Sequence, residues 1–115
     1  MSGRSSQAKG RRAELELSRI LQAQGYPVEP GRSQSYGEEP DITGLPGIHI
    51  EVKRRENVNL SAAMEQARRD AGRFGGLPAV FHRRNRESWR VTMELPDWLE
   101  LYRGYRRAGR SNHRG

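Results

Sequence analysis

The stretch that most constrains this chain runs from Pro40 to Lys53, where a turn bounded by glycines feeds an alternating run. From Ile48 onward, Ile48, Ile50 and Val52 fall on one face of a strand and His49, Glu51 and Lys53 on the other. Gly44-Leu45-Pro46-Gly47 reads as a turn, so the segment from Asp41 is expected as the preceding antiparallel strand. Residues directly opposite across a hairpin share a face. Asp41 therefore meets Glu51 only if the connection has odd length, with Leu45-Pro46-Gly47 between Gly44 and Ile48, or contains a bulge. Gly47 suits the positive-φ position of such a loop. In that register two carboxylates and a lysine converge at the end of the hairpin. This layout can hold a hard divalent cation and set an ammonium group beside a phosphate.

The flanking segments supply an α/β frame. From Gly10 to Gln24 a helical period appears, with Ala13, Leu17, Ile20 and Leu21 as its stripe and Gly25 as its end. Glu14 and Glu16 flank that stripe at similar angles on opposite sides, so periodicity leaves open which one reaches the hairpin. Tyr26-Pro27-Val28-Glu29 reads as a short first strand, followed by a loop from Pro30 to Gly37 that carries Arg32, Ser33 and Ser35. After Arg54-Arg55, Ser61 reads as the cap of a second helix whose inward stripe is Ala63, Ala67, Ala71 and Phe74, stopped by Gly75-Gly76. Leu77 to Phe81 suits the middle of a sheet, Trp89 to Met93 a last strand, and Pro96-Asp97 the start of a short final helix. The order predicts an α/β fold with a central mixed sheet flanked by helices. One domain is expected over residues 10–103, with a flexible basic arm at 1–9 and a disordered basic tail at 104–115.

Charge narrows the partner. Lysine plus arginine number 21 against 14 acidic residues, and arginine supplies nearly all the excess. Arginine suits bidentate phosphate contact, so an anionic polymer is the expected partner. Without cysteine there is no disulfide framework and no thiolate metal site. His49, His82 and His113 lack zinc spacing, and no Gly-rich phosphate loop follows a strand, so no nucleotide cofactor is expected. No apolar run reaches the length of a membrane span, which points to an intracellular protein with no membrane partner. Two classes then compete: a metal-dependent nuclease, and a DNA-binding module without catalysis. The presence of Asp41, Glu51 and Lys53 together favours the nuclease.

Pro40-Asp41, nine intervening residues and Glu51-Val52-Lys53 resemble the PD-(D/E)xK nuclease motif. Lys9-Gly10-Arg11-Arg12-Ala13-Glu14, the run from Arg73 to Val80, and Trp89-Arg90 extend the resemblance to the archaeal-type Holliday junction resolvases. That resemblance implies a restriction-endonuclease-like core of order αβββαββ with a short C-terminal helix. It implies Mg²⁺, with Mn²⁺ as a substitute, held by Asp41, Glu51, the Val52 carbonyl and Glu14, the last chosen over Glu16. Lys53 completes the catalytic set. DNA contacts are expected from Lys9, Arg11, Arg12, Arg32, Ser33, Ser35, Arg54 and Arg55. The implied substrate is branched DNA, above all four-way junctions, cut by a homodimer; a nicking or flap-cutting nuclease of a phage or mobile element is the alternative. Leu15 departs from the family, whose archaeal members tend to carry a basic residue there.

Overall fold

Two periods, near two residues in the middle of the chain and near 3.6 at its start, build a sheet with helices on it. The computed structural model describes the backbone over residues 2–31 and 41–111 and side chains over 10–31 and 41–109. In chain order the elements are α1 (Ser2–Ala23), β1 (Glu29–Pro30), β2 (Ile42–Thr43), β3 (Ile48–Arg54), α2 (Leu60–Phe74), β4 (Leu77–Arg83), β5 (Arg90–Met93) and α3 (Leu95–Ser111). The strands form one sheet in the order β1-β2-β3-β4-β5. Only β3 and β4, joined through α2, run parallel; the other pairs are antiparallel. This is the expected helix-flanked mixed sheet.

The hairpin adopts the odd-length connection. Ile42 pairs with Ile50, which sets Asp41 level with Glu51. Gly47 takes φ 89° and Gly44 φ 97°. At Gly44 a Cβ would also collide with the Pro27 carbonyl oxygen, so glycine is required there for space as well as for φ. The alternation of β3 then sorts its side chains into two layers. Ile50 and Val52 pack with Ala13, Leu17, Val28 and Ile42 beneath α1. Across the sheet, Ala63, Met64 and Ala67 of α2 cover Val80 of β4.

Several local expectations change. Asn59, not Ser61, caps α2: its Oδ1 accepts from the Ala62 N–H at 3.0 Å, two residues earlier than expected. Phe74 is half exposed in the last turn beside the reversal at Gly75-Gly76, and Met64 fills the inner face instead. Ile20 is 43% exposed while Ser18 is buried, so the packed face of α1 is turned away from the expected stripe. α1 runs back to Ser2, through the segment expected as a flexible arm. α3 continues to Ser111, through the start of the expected disordered tail. Arginine and alanine between Arg103 and Arg110 favour helix strongly enough to carry Gly104 and Gly109, and Trp98, Tyr102 and Tyr105 stack along one side.

Candidate active site

β2 is two residues long, so the β2–β3 ladder ends at Asp41 and the chain there is free to use its side chain. The Asp41 N–H donates to the Ile50 carbonyl at 2.9 Å, and its own carbonyl accepts from the Gly31 N–H at 2.7 Å. Its carboxylate takes over the next place in the ladder, accepting the Val52 N–H on Oδ2 at 2.7 Å. The N–H and C=O of one strand residue point to the same edge, so the Val52 carbonyl also faces the place where β2 has ended. Glu51, one residue back, turns its buried carboxylate to the α2 side. Lys53 Nζ lies 3.4 Å from Glu51 Oε2 and donates to Gln66 Oε1 of α2 at 3.2 Å. Glu14 arrives from α1. Together Glu14, Asp41, Glu51, Val52 and Lys53 line one cleft of about 620 Å³, with Gly10, Arg54 and Arg55 at its walls.

These acids are short of positive charge. Burial, then the neighbouring Asp41 charge, raises Glu51 from an ordinary 4.5 to about 7; Lys53 opposes the shift and Asp70 adds to it. Glu14 is raised to about 7 by burial and by Asp41, against the pull of Arg11. Asp41 is pushed up by burial, which the Val52 N–H and Lys53 only partly offset. Buried oxygen donors that repel one another fit a hard divalent cation, because its charge removes the repulsion that raises them.

The two candidate glutamates of α1 separate cleanly. Glu16 accepts from Arg83 at 3.1 Å and from the Trp89 indole N–H at 3.2 Å, so it ties α1 to the β4–β5 end of the sheet. Glu14 is the one in the cleft. Arg11, expected as a DNA contact, donates to the Gly31 carbonyl at 2.7 Å and pairs with Glu14 at 3.4 Å, clamping the chain before the loop. Arg12 is exposed, and Arg54 and Arg55 border the cleft. Arg32, Ser33 and Ser35, and the side chain of Lys9, lie outside the described residues.

Sequence reasoning missed Asp70 and left His49 undecided. Asp70 stands on α2 three residues after the buried Ala67, a carboxylate inside an inward stripe, and that position was the available signal. Asp70 is 7% exposed and His49 1%. One ligand atom each from His49, Glu51 and Asp70 lies within 4.8 Å of the others, a buried group compatible with a divalent metal. Neither His49 ring nitrogen nor Asp70 Oδ2 has a hydrogen-bond partner among the described residues. Each such orphan costs about 1–3 kcal/mol.

Comparison with solved structures finds Archaeoglobus fulgidus Hjc, a Holliday junction resolvase from an archaeal hyperthermophile. The TM-score is 0.57 at 28% identity, over 74% of this chain and 72% of that one. The fold is accordingly of the PD-(D/E)xK, resolvase-like type, and the likeness supports a resolvase role and a nuclease activity. No protein-family profile and no curated protein matches the sequence.

Proposed function

We propose that this protein is a Mg²⁺-dependent, structure-selective DNA endonuclease that resolves four-way junctions as a symmetric homodimer. The observation that carries the reading is the meeting of Glu14, Asp41, Glu51 and Lys53 in one cleft, on a sheet shared with a junction resolvase. Asp41, Glu51, Glu14 and the Val52 carbonyl would hold Mg²⁺, with Mn²⁺ able to substitute; bound there, the ion supplies polarisation of the phosphate and a lower pKa for the attacking water. Hydrolysis forms a bond from the water oxygen to phosphorus and expels the sugar oxygen, so negative charge grows on the phosphoryl oxygens. Lys53, aimed by Gln66 and Glu51, orients the water or stabilises that charge. Asp41 is aimed by the Val52 N–H, which occupies one carboxylate oxygen and leaves the other to the cleft. Arg12, Arg54, Arg55 and Lys9 supply phosphate contacts around the rim, and Arg32 with Ser33 and Ser35 positions the scissile phosphate from the loop before Asp41.

The dimer is supported by α3. Leu95, Trp98, Leu101, Tyr102 and Tyr105 are all exposed on that helix, an apolar face that a second copy would cover. An isologous pair also supplies the two-fold axis that two symmetric cuts require.

The test is cleavage of end-labelled four-way junction, flap, nicked and linear duplex DNA side by side with Mg²⁺, together with the mass in solution. Paired symmetric cuts in junction arms are expected from a dimer, and binding without cutting in Ca²⁺. Cutting confined to flaps or nicks by a monomer would replace resolution with the nicking reading. Binding of every substrate with cleavage of none would leave a binding module.

A further inference from the structure

Beneath the cleft, on the α2 side of β3, we infer a second cation site built from His49, Asp70 and Glu51, with a preference for d-block ions such as Co²⁺, Mn²⁺ or Zn²⁺. Three observations carry it. The ligand atoms converge within 4.8 Å, close to the spacing a single ion imposes, since donors at about 2.0–2.2 Å from one centre lie up to about 4 Å apart. His49 is 1% exposed, and both its ring nitrogens lack a hydrogen-bond partner among the described residues. Such a ring does not stay unbonded in a protein interior without a purpose. Asp70 brings a buried carboxylate with an equally unpartnered Oδ2 to the same place.

The donor set differs from that of the cleft, and the difference sets the class of ligand. The cleft offers oxygen alone, which suits magnesium. An imidazole nitrogen with two carboxylates shifts preference toward Mn²⁺, Co²⁺ and Zn²⁺, and magnesium seldom gives up its waters for such a cage. Glu51 belongs to both sites. Its Oε2 lies 3.4 Å from Lys53 at the cleft, while its carboxylate also reaches His49 and Asp70. An ion in the inner site therefore fixes Glu51 from behind. The site does not need Asp41, which belongs to the cleft alone, and it is independent of whether the protein cuts DNA.

The experiment titrates metal-free full-length protein with Co²⁺, following visible absorption, heat, and the paramagnetic shift of histidine ring resonances. Wild type and Asp41→Ala should both take up Co²⁺ at a site that shifts the His49 ring. His49→Gln should lose that shift and bind more weakly by roughly 10–100-fold, at least the cost of losing an outer-shell partner of a metal. Asp70→Asn should weaken the same event while the ring still shifts, with thermal melts confirming that both variants fold. Wild-type Co²⁺ binding in His49→Gln, or His49 resonances unmoved at one equivalent, overturns the site; a proton or a water then bridges the three groups. If His49→Gln fails to fold, Asp70→Asn decides, and undiminished Co²⁺ affinity in that variant overturns the site equally. Wild-type protein that gives these signals but cleaves no DNA rejects the nuclease reading and leaves the inner site standing.

Discussion

The two faces of β3 are buried to a similar depth and do opposite things. Toward α1, Ile50 and Val52 meet Ala13, Leu17, Val28 and Ile42, and each contact lowers the free energy of folding. Toward α2, His49 and Glu51 are as well covered as any core residue, yet burial lifts Glu51 to about 7 and leaves the imidazole without a hydrogen-bond partner among the described residues. One face stabilises the sheet, while the other holds charges that the first must offset. The faces meet at Val52, whose side chain lies in the core while its N–H aims Asp41. A period of two thus puts the chemistry on a rigid strand and separates it from the packing that keeps the strand rigid.

The sharpest way to break the comparison is to empty the polar face. Asp41→Ala, Glu51→Ala or Lys53→Ala should reduce junction cleavage by at least ~10²–10³-fold. DNA affinity should stay within a few-fold, because binding draws on many arginine–phosphate contacts. Cleavage by Asp41→Ala at the wild-type rate would mean the hairpin is not the active site. On the apolar face the same truncation acts on folding. Ile50→Ala, at a side chain with no exposure, should cost about 2–5 kcal/mol in denaturant unfolding. Glu51→Gln should leave the metal-free protein as stable as wild type or more so. If Glu51→Gln unfolds as readily as Ile50→Ala, the two faces are not opposed.

Acidity sharpens the same contrast. Glu14 and Glu51 each rise from 4.5 to about 7 on folding, so between those values the folded state binds more protons than the unfolded. Through these two carboxyls the metal-free protein should therefore lose stability as pH rises from about 5 to about 8, against an opposing gain from His49 and His82, which burial shifts down. Millimolar Mg²⁺ should restore the loss at pH 8 and do little at pH 5. Thermal melts at the two pH values, with and without Mg²⁺, measure this; a metal-free midpoint that rises with pH contradicts the charge assignment.

Much of this is legible in the sequence. The sequence permitted the hairpin register, through a loop of odd length with a glycine at each end, but did not choose it over the one that sets Asp41 opposite Ile50; the Ile42–Ile50 pairing makes that choice. The inner group was harder to read, because Asp70 falls within the alanine stripe but stands among Arg68, Arg69 and Arg73, where one more charge looks like a solvated face. The start of α2 stayed open: Asn59 and Ser61 are both good caps, and propensity does not choose between them. The exposed aromatic row of α3 was visible as apolar residues crowding one helix, but sequence alone could not show that the chain leaves them uncovered.

The smallest effect concerns Glu14 and Glu16, where the sequence left a tie. At about 100° per residue, a stripe of Ala13, Leu17, Ile20 and Leu21 puts the two glutamates almost equally far to either side. The tie breaks because Ser18 is buried and Ile20 is not, which turns the packed face of α1 toward Glu14. A serine gives no apolar signal, so no count of hydrophobic positions could have found the rotation. The turn carries Glu14 into the cleft and leaves Glu16 to bond Arg83 and Trp89. Glu14→Gln should slow cleavage and raise metal-free stability at pH 8, since it removes a carboxylate from a crowded group. Glu16→Gln should leave the cleavage rate unchanged and lower stability by only about 1 kcal/mol, because its partners sit at a partly exposed rim. Single-turnover cleavage and denaturant melts of both variants separate the roles. A larger cleavage defect in Glu16→Gln than in Glu14→Gln would mean that the helix presents the opposite edge to the DNA.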